Sequence, residues 1–297
     1  MRRIGEVLKQ EYGEKVYRLA LSSGATCPNR DGTIGSGGCT FCSLKGSGEF
    51  AAAYADIETQ IEQAKQRIRA KTDARLFIAY FQAFTNTYGD PKRLFPLYKE
   101  AISHPDVVIL SLATRPDCLD DAVLDMLEQL NRIKPVWIEL GLQTMHETTA
   151  ERIHRGYKLP VFEEAVRNLH ALHIPVIVHL ILGLPGETRE DMLETGRYVG
   201  NMYPMVSGVK IQMLNILEGS LLGEEYRRHP FDLLSLEEYA ALTAELIGLL
   251  PEEMTIHRMS GDGPADLLIA PQWVRNKKRV LNTINRLLRE TGKGEQT

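Results

Sequence analysis

Only four cysteines occur in 297 residues. So few exclude a small secreted fold stapled by disulfides. Long hydrophobic runs are missing too: stretches such as Ile174-Pro175-Val176-Ile177-Val178 and Leu180-Ile181-Leu182 fall far short of the ~20 apolar residues a membrane helix needs. No membrane span is expected. The chain also lacks internal repeats, low-complexity linkers and long charge blocks, which excludes repeat arrays and extended disordered tails. Positive charge is not in excess. With 35 Lys and Arg against 39 Asp and Glu, the net charge of −4 argues against a dedicated nucleic-acid-binding protein. The opening Met1-Arg2-Arg3-Ile4-Gly5-Glu6 carries no apolar signal run. A cytoplasmic protein with reduced thiols is therefore expected.

Three of the four cysteines nonetheless crowd into one stretch, Cys27-Pro28-Asn29-Arg30-Asp31-Gly32 through Cys39-Thr40-Phe41-Cys42. A closed structural zinc site takes four protein ligands, and most iron–sulfur clusters are held by four thiolates. Three thiolates around a four-iron cluster leave one iron open to a small molecule, so the stretch reads as a reactive centre. Zinc on Cys39 and Cys42, with Cys27 and a distant fourth ligand, is the competing reading. Cys118, in Arg115-Pro116-Asp117-Cys118-Leu119, is expected as a buried small apolar residue at a helix start.

At 33.4 kDa with 43% hydrophobic residues, the chain can bury a barrel-sized core. Apolar runs rich in β-branched residues predict strands at 16–21, 75–81, 107–112, 136–140, 176–182 and 209–214. Helical periodicity falls at 57–69, 92–103, 119–131, 147–154, 161–172 and 189–201. Asp90-Pro91 and Thr188 with Asp191 supply helix-start signals. Six successive βα units predict an α/β fold, a partial (β/α)6 TIM-like barrel with a parallel sheet, over residues 1–215. Residues 216–297 change character and are expected as a C-terminal α/β extension packed on the barrel, with helices at 219–228, 236–249 and 271–289 and a strand at 254–259. Polar or glycine-rich segments follow each strand, where such architectures collect their chemistry. Arg275, Lys277, Lys278, Arg279, Arg286 and Arg289 cluster near the C-terminus, as a solvated helix face or a phosphate track.

The cysteine stretch 24–46, together with Glu139-Leu140-Gly141-Leu142-Gln143-Thr144, His154-Arg155-Gly156, His179 through Thr188 and Ile256-His257-Arg258-Met259-Ser260-Gly261-Asp262, resembles the radical S-adenosylmethionine (SAM) superfamily. Within it the chain is similar to a bacterial branch related to the catalytic subunit of Elongator, over roughly residues 5–290. Two features depart from the superfamily. Eleven residues separate Cys27 from Cys39 where three are usual, and Gln82-Ala83-Phe84 replaces the Gly-Gly-Glu turn after strand two.

The resemblance implies that Cys27, Cys39 and Cys42 bind three irons of a [4Fe-4S] cluster and that SAM chelates the fourth. It places Phe41 by the adenine, Gln82 at the departed turn, and Gln143 and Arg155 at the cofactor carboxylate. His179 and Gly183 would face the same cofactor, with Thr114 or Glu139 at the ribose. It further implies a reducing partner such as flavodoxin or ferredoxin. The substrate class it suggests is transfer RNA, with 5-carboxymethylaminomethyluridine at the wobble position converted to 5-aminomethyluridine, since the chain lacks room for Elongator's acetyltransferase-like domain. Arg258, Trp273, Arg275, Lys277, Lys278 and Arg279 are the candidate RNA contacts. A radical enzyme acting on a small metabolite or tetrapyrrole, and a non-catalytic metal or iron–sulfur protein, are the alternatives.

The three-thiolate count sets the first test. Anaerobically reconstituted protein is expected to bind about four irons and four sulfides per chain. Cys27→Ala, Cys39→Ala or Cys42→Ala should each abolish uptake and Cys118→Ala should not, as read by iron and sulfide analysis.

Overall fold

In a computed structural model, which describes residues 1–292 apart from 47, 71 and 262, βα alternation runs through the chain. A two-residue strand β1 (Arg2–Arg3) and helix α1 (Ile4–Tyr12) precede β2 (Val16–Leu21) and α2 (Ile57–Ile68). Next come β3 (Leu76–Phe81), α3 (Pro91–Ser103), β4 (Val107–Thr114), α4 (Asp121–Asn131) and β5 (Val136–Gln143). Helices α5 (Glu147–Arg152) and α6 (Leu159–Ala171) lead to β6 (Val176–Leu182), α7 (Arg189–Asn201) and β7 (Val206–Met213). The remainder holds β8 (Ile216–Leu217), α8 (Leu221–Arg228), α9 (Leu236–Leu249), β9 (Thr255–Arg258), β10 (Leu268–Ala270) and α10 (Lys277–Glu290).

Eight strands form one parallel sheet in the order β1-β9-β7-β6-β5-β4-β3-β2. From β2 to β7 each crossover adds the next neighbour, as short right-handed βα connections dictate. The sheet curls into a half-barrel. Its curvature brings Lys210 of β7 within 2.9 Å of the Tyr80 hydroxyl on β3, although three strands lie between them. The expected α/β partial barrel is the fold adopted. Thr255–Arg258, placed by the sequence in the C-terminal extension, pairs with β7 and continues the same sheet, while β10 and β8 form a separate antiparallel pair.

Helix starts follow their caps. Asp90 accepts from the Lys92 amide with Pro91 in the first turn, and Thr188 forms a capping box with Asp191. Where expected boundaries shift, a cap explains it. The helix expected from residue 119 begins at Asp121 because Asp120 caps Val123, and the one expected from 271 begins at Lys277 because Asn276 caps Arg279. A 3₁₀ turn, Gln272–Arg275, precedes it.

Strand side chains alternate between two cores. Val136, Ile138 and Leu140 of β5 and Val176, Val178 and Leu180 of β6 pack outward against the helices with Leu127, Phe162 and Leu193. Trp137 and Ile177 point the other way and join Ile78, Ile109 and Leu8 in an inner cluster. Helix α1, which the sequence did not reveal, thus plugs one end of the barrel lumen. Leu8 is 3% exposed, so Leu8→Ala is expected to cost about 2–5 kcal/mol of unfolding free energy, measurable by urea denaturation.

Candidate active site

The cysteine loop leaves β2 and is organised by its own backbone. The Cys27 carbonyl accepts from the amides of Arg30 and Asp31 at 2.8 and 3.2 Å, and the Cys39 carbonyl from Cys42 at 2.9 Å. The Arg30 guanidinium staples the far end through the carbonyls of Cys42, Ser43 and Leu44. Bonds to the rest of the fold tie the loop down, among them Thr40 donating to Ile153, Leu222 donating to Thr40 and the Asn29 side chain donating to His154. Cys27, Cys39 and Cys42 form no disulfide and line one chamber of about 230 Å³. Burial pushes the Cys39 thiol up to about 12, and the neighbouring Cys42 and Cys27 add to it against Arg115. Thiols that oppose one another's ionisation this way suit a metal cluster, whose positive charge relieves the repulsion. Cys118 is half-buried, less enclosed than expected, and does not line the chamber. It ends a 3₁₀ turn whose carbonyl accepts from Thr87.

Facing the cysteines is the end of β5. The Thr144 amide donates to the Leu142 carbonyl at 2.9 Å around Gln143, whose φ is +64°. This is the strained positive-φ form of a three-residue turn. A Cβ on Gly141 would stand 2.6 Å from the Gln143 side-chain nitrogen, so a larger residue there would push that side chain from its present position. Arg155, 1% exposed, holds the turn. Its Nη1 donates to the carbonyls on either side of Gln143, Leu142 at 3.3 Å and Thr144 at 2.7 Å, and its Nε to Tyr157. Arg155, expected at the cofactor carboxylate, here grips backbone at the chamber wall, with Nη2 3.5 Å from Glu147. Tyr157 lies beneath both Arg155 and Arg115, their guanidinium carbons 4.6 and 5.2 Å from its ring centre.

A charged layer closes the chamber floor. The fully buried Glu139 accepts from Tyr80 at 2.9 Å, His179 at 2.8 Å, Ser111 at 3.1 Å and from Lys210. Burial opposes its ionisation, yet Lys210 and His179 hold it well below the usual carboxylate range. Burial also lowers His179 against the pull of Glu139. A carboxylate only accepts, so the His179 Nε2 carries the hydrogen donated to Glu139.

Phe41, Gln82, Thr114, Glu139, Gln143, Arg155 and His179 all line the chamber with the three cysteines. The Thr114 hydroxyl is 2.5 Å from that of Thr87. Gly183 is set apart, in a neighbouring groove with Leu184, Pro185 and Phe231. Arg258 also lines the chamber, 3.5 Å from Gln212, whereas Arg275, Lys277, Lys278 and Arg279 are exposed on the outer face at the start of α10. Trp273 belongs to the core rather than to an RNA surface, its Nε1 donating to Leu234 and its ring 5.5 Å from Tyr239. Asp262, the end of one sequence motif, lies outside the described residues. Sequence reasoning missed Asn29, Arg115, Tyr157 and Lys210. Lys210 was signalled by a charge inside the apolar run Val209-Lys210-Ile211.

The family described as the Radical SAM superfamily matches residues 24–199, and the Radical_SAM C-terminal domain matches residues 206–290. The Bacillus subtilis (strain 168) protein YtqA is 43% identical over 286 residues, 96% of this chain and 88% of its own length. A tRNA uridine(34) acetyltransferase of Methanocaldococcus infernus is 25% identical over 163 residues, 54% of this chain and 30% of that protein. The solved structure of archaeal Methanocaldococcus infernus Elp3 superposes with a TM-score of 0.69 at 17% identity, covering 91% of this chain and 63% of that one.

The floor yields a stability test. Glu139→Gln should cost about 3–5 kcal/mol because it strands Lys210 without its counter-ion, while Glu139→Gln with Lys210→Met should recover much of that loss. The Glu139 pKa is lower in the folded chain than the ~4.3 of an unfolded glutamate. Its stabilisation is therefore complete above ~4.3 and is lost as pH falls through the folded value. Urea unfolding of wild type and Glu139→Gln across pH 2–7 is expected to show the two curves converging at the acid end.

Proposed function

Because the chain belongs to the radical SAM superfamily, whose members use SAM and a [4Fe-4S] cluster, we propose that it converts 5-carboxymethylaminomethyluridine to 5-aminomethyluridine at the wobble position of transfer RNA. The observation carrying the reading is the single chamber that joins three cysteines to the Gln143 turn, in a fold shared with Elp3 and a sequence similar to a tRNA uridine(34) acetyltransferase. When bound, the cluster would supply the electron for reductive cleavage of SAM. Cys27, Cys39 and Cys42 hold three of its irons. Gln143, presented by the turn that Arg155 braces, offers its carboxamide to the cofactor's carboxylate. Phe41 would pack by the adenine, Gln82 would approach with its side chain, and Thr114 and His179 would meet ribose hydroxyls above Glu139, whereas Gly183 lies in the neighbouring groove. The floor, a buried carboxylate already satisfied by Tyr80, Ser111, His179 and Lys210, would keep water out of the lumen. A reducing partner such as flavodoxin or ferredoxin completes the system.

Transfer RNA would be held outside the chamber by Arg275, Lys277, Lys278 and Arg279, all exposed at the start of α10. Arg258, inside it, would meet the base or its substituent. The basic track on a chain of net charge −4 is what favours RNA over a small metabolite.

Two measurements test this reading. Wild type should form 5′-deoxyadenosine faster with transfer RNA carrying 5-carboxymethylaminomethyluridine than with RNA lacking the group, and nucleoside mass spectrometry should show 5-aminomethyluridine. Lys277→Glu with Lys278→Glu should weaken RNA binding and lower the slope of log affinity against log salt by about 2, leaving RNA-free SAM cleavage unchanged. Equal turnover with both RNAs would reject the assignment in favour of a small-molecule substrate.

A further inference from the structure

We infer that Asn29 is a positioning residue that raises the reduction potential of the cluster by donating a hydrogen bond to the sulfur of Cys39. The inference depends on the three cysteines holding a cluster and not on the RNA reading. Asn29 is 5% exposed, and both hydrogens of its side-chain amide are committed. Its Nδ2 lies 2.6 Å from the His154 carbonyl and 3.6 Å from the Cys39 Sγ.

The orientation of the amide follows from its partners. A backbone carbonyl only accepts, so the NH₂ and not the oxygen must face His154. That places the second N–H at the sulfur. Behind it the oxygen is wedged against Gly35, where a Cβ would stand 2.4 Å from Oδ1. The rest of the loop locks the residue in place: the Asn29 carbonyl accepts from Gly38 at 2.8 Å, and His154 presents its own carbonyl from a left-handed backbone, φ +54°. A buried amide held at three points cannot turn away when the charge on the sulfur changes.

The chemical consequence follows from charge. Adding an electron to a thiolate-bound cluster increases negative charge on its sulfurs, so an N–H directed at one of them is a stronger bond in the reduced state than in the oxidised state. Hydrogen bonds to the sulfurs are among the terms that set cluster potentials. Arg115, on the same chamber wall, acts on Cys27 and Cys39 in the same direction through its charge.

The test is an anaerobic potentiometric titration of the reconstituted protein without SAM or RNA, followed by electron paramagnetic resonance, with iron content measured in parallel. Asn29→Ala is expected to keep about four irons and to show a three- to tenfold smaller reduced-to-oxidised ratio at the wild-type midpoint. Tenfold corresponds to about 59 mV for a one-electron couple. Gly35→Ala, which keeps Asn29 but drives its oxygen off the Gly35 position, should shift the potential in the same direction. A merely structural role would alter iron uptake or unfolding without moving the midpoint of the loaded protein. An unchanged midpoint in fully loaded Asn29→Ala would overturn the inference. Where that variant takes up no cluster, an unchanged midpoint in Gly35→Ala would do so. Wild type without a four-iron cluster would overturn the three-cysteine reading as well, and iron content separates the two failures.

Discussion

A carboxylate in the lumen of a half-barrel has to be neutralised, and Glu139 does so by drawing on four other strands. Tyr80 comes from β3, Ser111 from β4, His179 from β6 and Lys210 from β7. These groups reach one carboxylate only if the sheet curls and if β5, β6 and β7 keep their register, because Glu139 pairs with Ile177 and His179 pairs with Lys210. A slip of one residue in any strand would send its polar group to the helix side. The apolar plug on one side of this layer and the chamber on the other follow from its position.

The chamber's two working walls are held by opposite means. The β5 end is rigid because Arg155 converts a strained turn at Gln143 into a fixed one through the carbonyls of Leu142 and Thr144. The cysteine side is irregular backbone with little regular structure of its own, and it borrows its order from the segment after α5. Ile153 accepts from Thr40 and His154 from Asn29. Residues 153–157 thus serve both walls at once, bracing the turn with Arg155 and anchoring the loop with the two carbonyls before it.

Strands were legible in the sequence because their side chains obey a period of two and their outer faces are apolar, as in Val176-Ile177-Val178. Capped helices were legible for a similar local reason, Asp90 and Thr188 being N-caps that act within three residues. Strand β1 was not, since two residues carry too little pattern, and helix α1 was not, its Arg3 N-cap offering no side-chain capping signal. Of the chamber, the cysteines and the residues at strand exits could be picked out by position along the chain. The job of Arg155 could not, because its partners are backbone carbonyls that any residue supplies. Trp273 was ambiguous on the same ground, since an indole serves a core and a surface equally well until its neighbours are known.

The sequence by itself determined the βα alternation, the three-cysteine centre with its implied cofactors, and the charge that keeps a basic stretch on an otherwise acidic chain. Each depends on residue type and spacing over short distances, which the chain order preserves. Tertiary structure alone decided that Lys210 meets Glu139, that Arg258 turns into the chamber while Arg275–Arg279 stay outside, and that Asn29 directs a hydrogen at Cys39. Lys210 lies 71 positions from Glu139 and 130 from Tyr80, which it also meets, and Asn29 is fixed by a carbonyl 125 positions away. The curvature of the sheet and the path of the loop bring them together, and neither leaves a local signature in the order of residues.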